Sequence, residues 1–467
     1  MNIYQDTICA LSTPVGSGAI GVIRLSGPRA IPLVNACFKG KDLSLQKGQT
    51  LHFGEIIDGE EIIDEVLISL FRGPHSYTGE DVIEISCHGS SYIISKLINL
   101  FIRKGARIAE PGEYTMRAFT NGKMDLAQAE AVADLIASES KAAHDIALHQ
   151  MRGGFSKRIM ELREELIHFT SMIELELDFS EEDVEFADRD DLKELVKRII
   201  RLCKELIASF ATGNVMKNGI PVAIIGKPNV GKSTLLNALL QEERAIVSDI
   251  AGTTRDSIED EIKIAGMSFR FIDTAGIRET DDVVENIGIQ RTFEMVDKAM
   301  IILYLVDAIQ MDEHQVKEMI AEIKQRLKDK DKELVILANK IDKGGFDIDH
   351  IPKEIQNKFP KDIKTLYISA LKQNHLEDLT NYLAEKAKDK MAGASQVVVS
   401  NARHYQALKN AQEALERVLD GLKQNITGDF LAIDIRQALF FLGEITGSIE
   451  IDRDILGHIF SKFCIGK

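Results

Sequence analysis

The chain has no tryptophan and only five cysteines, Cys9, Cys37, Cys87, Cys203 and Cys464, in 467 residues. No two of them form a Cys-x-x-Cys pair, which argues against structural zinc and against a disulfide framework. No apolar run is long enough to span a bilayer. The opening residues, MNIYQDTICALSTPVGSGAIG, carry neither a basic leader nor a signal-peptide core. The expected location is therefore cytoplasmic, with no membrane span. Positive charge is also short: 57 Lys and Arg stand against 73 Asp and Glu, a net charge of −16. An acidic chain is not a general nucleic-acid binder by electrostatics alone, so any RNA contact needs a local basic patch or a partner protein. No internal repeat and no low-complexity segment is visible.

The length suits about three domains. Residues 1–118 alternate short apolar runs with turns. GVIRLSG, EVLISLF and DVIEISCHG read as strands, and ISKLINLFIRKG reads as a helix closed by Gly105, an α+β pattern. Residues 119–217 change to helical spacing, with DLAQAEAVADLIASESKAAHDIALHQM free of proline. The acidic stretch SEEDVEFADRDD reads as a solvated loop and a helix start. Residues 218–385 alternate strand and helix: IPVAIIG, STLLNALL, FRFIDTAG, MIILYLVDA, ELVILANK, TLYIS. That alternation predicts a doubly wound α/β sheet. Residues 386–467 return to helical segments, expected to pack back on 119–217. The α/β block then reads as an insertion inside a helical domain.

GKPNVGKS, residues 226–233, fits G-x-x-x-x-G-K-[ST] between the strand PVAIIG and the helix STLLNALL. The mechanism needs each part. Glycines let backbone N–H groups close around phosphates, Lys232 reaches the β- and γ-phosphates, and Ser233 offers a hydroxyl to Mg²⁺. Four further elements follow in order. GTTRD (252–256) supplies Thr254 as a second Mg²⁺ ligand. DTAG (273–276), with Asp273 and Gly276, resembles the switch that senses Mg²⁺ and γ-phosphate. NKID (339–342) follows the strand ELVILA, and the Asp342 carboxylate can accept two N–H donors from guanine. Ser369–Ala370 can place a backbone N–H on the guanine carbonyl. Together these predict a GTP site built from Asn229, Val230, Gly231, Lys232, Ser233, Thr234, Ser248, Thr253, Thr254, Asp273, Gly276, Asn339, Lys340, Asp342, Ser369 and Ala370. One position departs from Ras-type GTPases. Ile277 stands where Gln orients the attacking water. Asn229 is either a turn residue or, with the carbonyls of SDIAGTT, a ligand for a monovalent cation that supplies the missing charge.

The stretches GKPNVGKSTLLNALL, AIVSDIAGTTRD, DTAGIRETDDVVENIGI, TGEDVIEISCHG, PGEYTMRAFTNGKMDLAQAEAVADLI and the terminal FCIGK together resemble the tRNA uridine-5-carboxymethylaminomethyl modification GTPases, the TrmE/MnmE family, over essentially the whole chain. Cys464 is fourth from the end, but Gly466 and Lys467 do not fit a prenylation signal. The resemblance accounts for the ending instead, as a Cys-x-Gly-Lys tail that returns to the N-terminal region. The fold it implies is multidomain α+β: a folate-binding-like, dimerising N-terminal domain, an all-α helical domain, and a Ras-like G domain inserted into that helical domain.

The resemblance also implies roles. Potassium would sit against Asn229, Ser248, Ile250 and Thr253, and Mg²⁺ against Ser233 and Thr254. Glu285 would act catalytically through water, beside Lys232. A 5-formyltetrahydrofolate or other tetrahydrofolate site would fall on Arg24, Glu80, Lys123 and Lys467. Cys464 is a candidate for the modification chemistry, although a C-terminal thiol can also be inert. The implied reaction modifies carbon 5 of the wobble uridine of certain tRNAs, adding an aminomethyl or carboxymethylaminomethyl group with a folate one-carbon unit. The implied partners are a second copy of the chain, tRNA and a flavin-containing GidA-type protein. FAD and NADH would belong to that partner, because no G-x-G-x-x-G follows a strand here. Two other classes share features with this chain. A ribosome-assembly GTPase binding rRNA has the same P-loop and lacks the same Gln, but would call for basic flanks. A folate enzyme with a regulatory G domain would turn over free folate without tRNA.

Overall fold

The structure is a computed structural model. It describes the chain except residues 1–4, 179–187, 245–259, 273–293, 312, 328–331, 346, 348–349, 392–397, 425, 449–455, 457–458, 462, 464–465 and 467. Two compact units are present. One comprises 1–137, 147–203 and 406–467; the other comprises 138–146 and 204–405.

The first unit is built on a seven-stranded sheet. Its strands are β1 (Ile8–Leu11), β2 (Ile20–Ser26), β3 (Phe38–Lys39), β4 (Thr50–Asp58), β5 (Glu61–Phe71), β6 (Val82–His88) and β7 (Arg107–Ile108), in the order β3-β4-β5-β6-β2-β1-β7. Neighbours pair antiparallel except β1 and β7. Period-two patterning decides the faces. In β5, Val66, Ile68 and Leu70 are buried while Leu67 is exposed. The buried face meets α1 (Ala30–Asn35) and α2 (Ser91–Arg103). In α2, Ile94, Leu97 and Phe101 fall at i, i+3 and i+7 and share one core with Ile23, Leu25, Ile83 and Ile85. The helix stops at Arg103, just before Gly105 at φ +104.

Helices α3 (Glu113–Thr120), α4 (Leu126–Ala137) and α6 (Ser156–Asp178) follow in this unit, with α5 (Lys141–Met151) between α4 and α6. The sequence DLAQ starts α4 with a reciprocal cap. Asp125 Oδ1 accepts from the Gln128 N–H at 2.8 Å, and Gln128 Oε1 accepts from the Asp125 N–H at 2.9 Å. The acidic stretch does end in a helix start: Asp188 Oδ1 accepts from the Asp190 and Asp191 N–H groups and caps α7 (Arg189–Asn218). The helix Gly428–Thr446 packs on α6 and α4. Ile459, Phe460 and Phe463 pack with Leu126 and Ala129 of α4, so the tail belongs to this unit's core.

The second unit holds a six-stranded sheet of β8 (Ile220–Ile225), β9 (Asp260–Ile264), β10 (Met267–Phe271), β11 (Ile301–Asp307), β12 (Glu333–Asn339) and β13 (Lys364–Tyr367), in the order β13-β12-β11-β8-β10-β9. Five strands run parallel. β9 is an antiparallel edge strand, joined to β10 by the two-residue turn Ala265–Gly266 with positive φ at both positions. Apolar cores lie on both faces, as the near-continuous apolar run IILYLV of β11 requires. One core includes Leu235 and Leu239 of α8 (Lys232–Arg244) and Leu379 and Leu383 of the helix Leu376–Met391; the other includes Ile320 and Ile323 of the helix Glu313–Leu327. This is the doubly wound pattern expected for the α/β block.

Candidate functional site

Ligand-binding loops in open α/β sheets sit at the carboxyl ends of the parallel strands. Three such ends converge in the second unit. After β8 the chain makes the turn 226–231 and enters α8 at Lys232. Asn229 takes φ +60 and Gly231 φ +103. Gly231 also sits tight against β12, where a Cβ would lie 2.5 Å from Asn339 Nδ2. Lys232 Nζ donates to the Gly226 and Lys227 carbonyls, each at 2.9 Å, which folds the ammonium into the turn. Burial lowers its pKa from the ordinary lysine value. Ser233 and Thr234 follow in the first turn of α8, where N–H groups point outward.

Asn339, at the end of β12, ties the three loops together. Its Nδ2 donates to the Val230 carbonyl at 2.8 Å, and its Oδ1 accepts from the Ala370 N–H at 2.9 Å. It is 2% exposed, so neither bond competes with bulk water. Lys340 adopts φ +66 and donates Nζ to the Asn229 carbonyl at 2.6 Å. Asp342 Oδ1 accepts from Ser369 Oγ at 2.6 Å, which orients the carboxylate. Ser369 Oγ in turn accepts from the Lys372 N–H at 3.2 Å. Lys340, Asn229, Val230 and Asp307 line part of one cavity of about 260 Å³. The arrangement offers backbone N–H groups and an ammonium to phosphates, and beside them a fixed carboxylate edge to a base.

A second group of polar side chains lies in the first unit. Arg24, on β2, faces Glu84 directly across β6. Its Nε donates to Glu84 Oε1 at 2.9 Å and its Nη1 to the Gly466 carbonyl at 3.4 Å. Ser12 Oγ donates to the same carbonyl at 3.1 Å. The guanidinium carbon is 5.6 Å from the Tyr77 ring centroid and 5.5 Å from that of Tyr114. Tyr114 Oη donates to the Arg24 carbonyl at 2.7 Å. Burial raises the pKa of both phenols. Lys123 Nζ donates to the Pro74 carbonyl at 2.9 Å, and Asn121 Nδ2 to the Thr78 carbonyl at 2.7 Å, which holds the 74–79 loop beside Lys123.

Glu80 is enclosed by protein. It is 1% exposed, and its carboxylate accepts from Arg117 Nη1 at 3.2 Å to each oxygen and from Ser26 Oγ at 2.7 Å. Arg117 is fully buried and also donates Nη2 to Asp6 Oδ1 and to Glu113 Oε1. Burial opposes ionisation of Glu113. Hydrogen bonds from Arg107, the Glu110 N–H and Arg117 outweigh it and hold that carboxyl below the usual range.

Comparison with known proteins bears on both groups. A family model described as the MnmE helical domain matches residues 126–464, and one described as the GTP-binding protein TrmE N-terminus matches residues 7–123. The chain is 54% identical to the tRNA modification GTPase MnmE of Flavobacterium psychrophilum, with 100% of each chain covered. It is 55% identical to proteins of the same name from Christiangramia forsetii, over 99% of each chain, and Flavobacterium johnsoniae, over 100% of each. The chain belongs to the MnmE family of tRNA modification GTPases.

Membership fits a multidomain chain with an N-terminal domain, a helical domain and a sheet-containing G domain. Of the residues expected to act in an MnmE-family protein, the structure brings Asn229 to Ser233 together with Asn339, Lys340, Asp342, Ser369 and Ala370. It sets Arg24 near the Gly466 carbonyl and Lys123 on the 74–79 loop. Ser248, Ile250, Thr253, Thr254, Asp273, Gly276, Ile277, Glu285, Cys464 and Lys467 lie outside the described residues. Sequence reasoning missed Asp307, Tyr77, Tyr114 and Arg117. The one signal available for Arg117 was its place in PGEYTMRAF, four residues after Glu113. Among the described residues no cluster of His, Cys, Asp and Glu could hold a metal, and no helix is long and apolar enough to cross a membrane.

Proposed function

We propose that the chain is a potassium-dependent GTP hydrolase that works in the cytoplasm with a flavin-containing GidA-type partner to modify carbon 5 of the wobble uridine of certain tRNAs. The observation that carries this reading is the Asn339 bridge between Val230 and Ala370, which sets the P-loop against the base-reading loops. Lys232 and the P-loop N–H groups would hold the β- and γ-phosphates, and Asp342 would select guanine. Ser233 would hold Mg²⁺, with Thr254 as the second ligand. Asn229, with Ser248, Ile250 and Thr253, would hold a potassium ion. Potassium there would supply positive charge against the transferring phosphoryl group. Glu285 would orient the attacking water where Ile277 cannot. Opening and closing of paired G domains, inserted at 218–385 in a helical domain of 119–217 and 386–467, would couple hydrolysis to the modification.

The domain of residues 1–118 would bind a tetrahydrofolate derivative and hold two copies of the chain together. Its cationic groups, Arg24, Lys123 and Lys467, suit an anionic glutamate tail. Arg24, within cation–π distance of two tyrosines and fixed by Glu84, supports that reading. Glu80, tied to Arg117, would support the loop rather than offer a free carboxylate. FAD and NADH would sit on the partner. The test is nucleoside mass analysis of tRNA incubated with the chain, the flavoprotein, GTP and a folate one-carbon donor. A new C5-substituted uridine at the wobble position, absent when either protein or GTP is omitted, is the expected result. Unmodified tRNA in the complete mixture would overturn the reading.

A further inference from the structure

Asp307 is the last residue of β11 and lies in register beside Asn339 of β12. Its two carboxylate oxygens have separate tasks. Oδ1 accepts from the Ile309 N–H at 3.0 Å and the Gln310 N–H at 3.1 Å, closing the turn that follows the strand. Oδ2 pairs with Lys340 Nζ at 2.9 Å. The same Nζ donates to the Asn229 carbonyl of the P-loop at 2.6 Å. Side-chain exposure is 24% for Lys340 and 14% for Asp307, so the pair is largely shielded from salt. Burial raises the Asp307 pKa, but the Lys340 ammonium and the two N–H groups outweigh it and hold the carboxyl below its usual range. Lys340 itself sits in the left-handed region, a backbone state a lysine rarely adopts. A long cationic side chain loses much rotamer freedom when fixed at both ends. The carboxylate and the Asn229 carbonyl hold the Lys340 ammonium between β11 and the P-loop, and all three residues line one cavity.

We propose that Asp307 is a positioning residue of the guanine-nucleotide site, acting through Lys340 to hold the P-loop at Asn229. The inference rests on the guanine-nucleotide reading of that site. It adds a residue outside the P-loop, NKID and Ser369–Ala370 motifs. The division of labour between the two oxygens provides the test. Asp307→Asn keeps an Oδ1 that can close the 309–310 turn, but turns an uncharged NH₂ toward the ammonium. Asp307→Asn should speed dissociation of a fluorescent guanosine diphosphate by roughly tenfold, the loss expected for one charge-assisted hydrogen bond. The loss should fall on KM for GTP and leave kcat within about twofold. In a Lys340→Met background the same substitution should change dissociation by less than about twofold, because the partner through which Asp307 acts is already gone.

Dissociation from Asp307→Asn at the wild-type rate would overturn the inference. So would effects of Asp307→Asn and Lys340→Met that multiply in the double variant, because that pattern means a structural role independent of Lys340. Wild-type protein that binds the adenine and guanine analogues equally would overturn the guanine reading and the inference with it. That outcome is visible in wild type alone and so is distinct from the other two.

Discussion

Arg117→Met is a substitution whose cost can be worked from the geometry. Arg117 is fully buried, and its guanidinium serves Glu80, Glu113, Asp6 and the Asp6 carbonyl. Glu113 and Asp6 keep Arg107 as a second partner. Among the contacts described, the Glu80 carboxylate then keeps only the Ser26 hydroxyl as a donor. Methionine fills much of the volume, so the main penalty is the uncompensated Glu80 charge. Breaking a buried pair in this way costs about 3–5 kcal/mol. For a unit of this size, about 2–4 °C of melting temperature goes with each kcal/mol, so the transition of the first unit should fall by roughly 6–20 °C. Without tryptophan the assay is calorimetry or far-UV dichroism. The double variant Arg117→Met with Glu80→Gln should recover most of the loss, because the orphaned charge goes with it. A fall of under about 2 °C in Arg117→Met, or a double variant as destabilised as the sum of the singles, would mean that Glu80 does not depend on Arg117 for its charge.

Gly231→Ala combines an unfavourable φ with a Cβ 2.5 Å from Asn339 Nδ2, so it should displace Asn339 and weaken guanine-nucleotide binding by at least roughly tenfold in equilibrium titration. Asp6 and Glu113 are held below their ordinary carboxylate values in the fold. Their stabilising contribution is therefore complete above about pH 4 to 5, near the unfolded values, and is lost as the pH falls through the lower folded values. Urea midpoints of the first unit should hold steady from pH 7 to about 5 and drop below that. Cys9, Cys37, Cys87 and Cys203 are buried and free, with burial pushing the Cys9 and Cys203 thiols up to about 12 and that of Cys87 to about 11. In a Cys464→Ser variant, a thiol reagent at pH 8 should label almost nothing until denaturant is added.

Local chemistry made much of this molecule legible in advance. The strand-turn-helix at the P-loop and the start of α7 in the acidic stretch depend on residues within a few positions of each other. What was not legible depends on residues far apart in the chain. Asn339 was chosen for its motif, but its work is to join residues 109 and 31 positions away. Asp307 reads as an ordinary strand end until Lys340 is placed beside it. Glu80 stands in the sequence only as a folate-site candidate, and its burial against Arg117, 37 positions away, is set by the fold. Tyr77, in the 74–79 loop, and Tyr114, in the first turn of α3, meet only around Arg24. β9 was missed because its polar alternation DEIKI precedes a two-residue turn without an Asn-Gly or Asp-Gly signal.

Whether potassium supplies the missing charge is tested by steady-state GTP hydrolysis in KCl and in NaCl at equal ionic strength, with Asn229→Lys measured beside the wild type. Potassium should strongly stimulate the wild type and leave the variant unchanged. Equal rates in the two salts would contradict this, because a switch with Ile277 in place of glutamine would then need another source of charge at the phosphates.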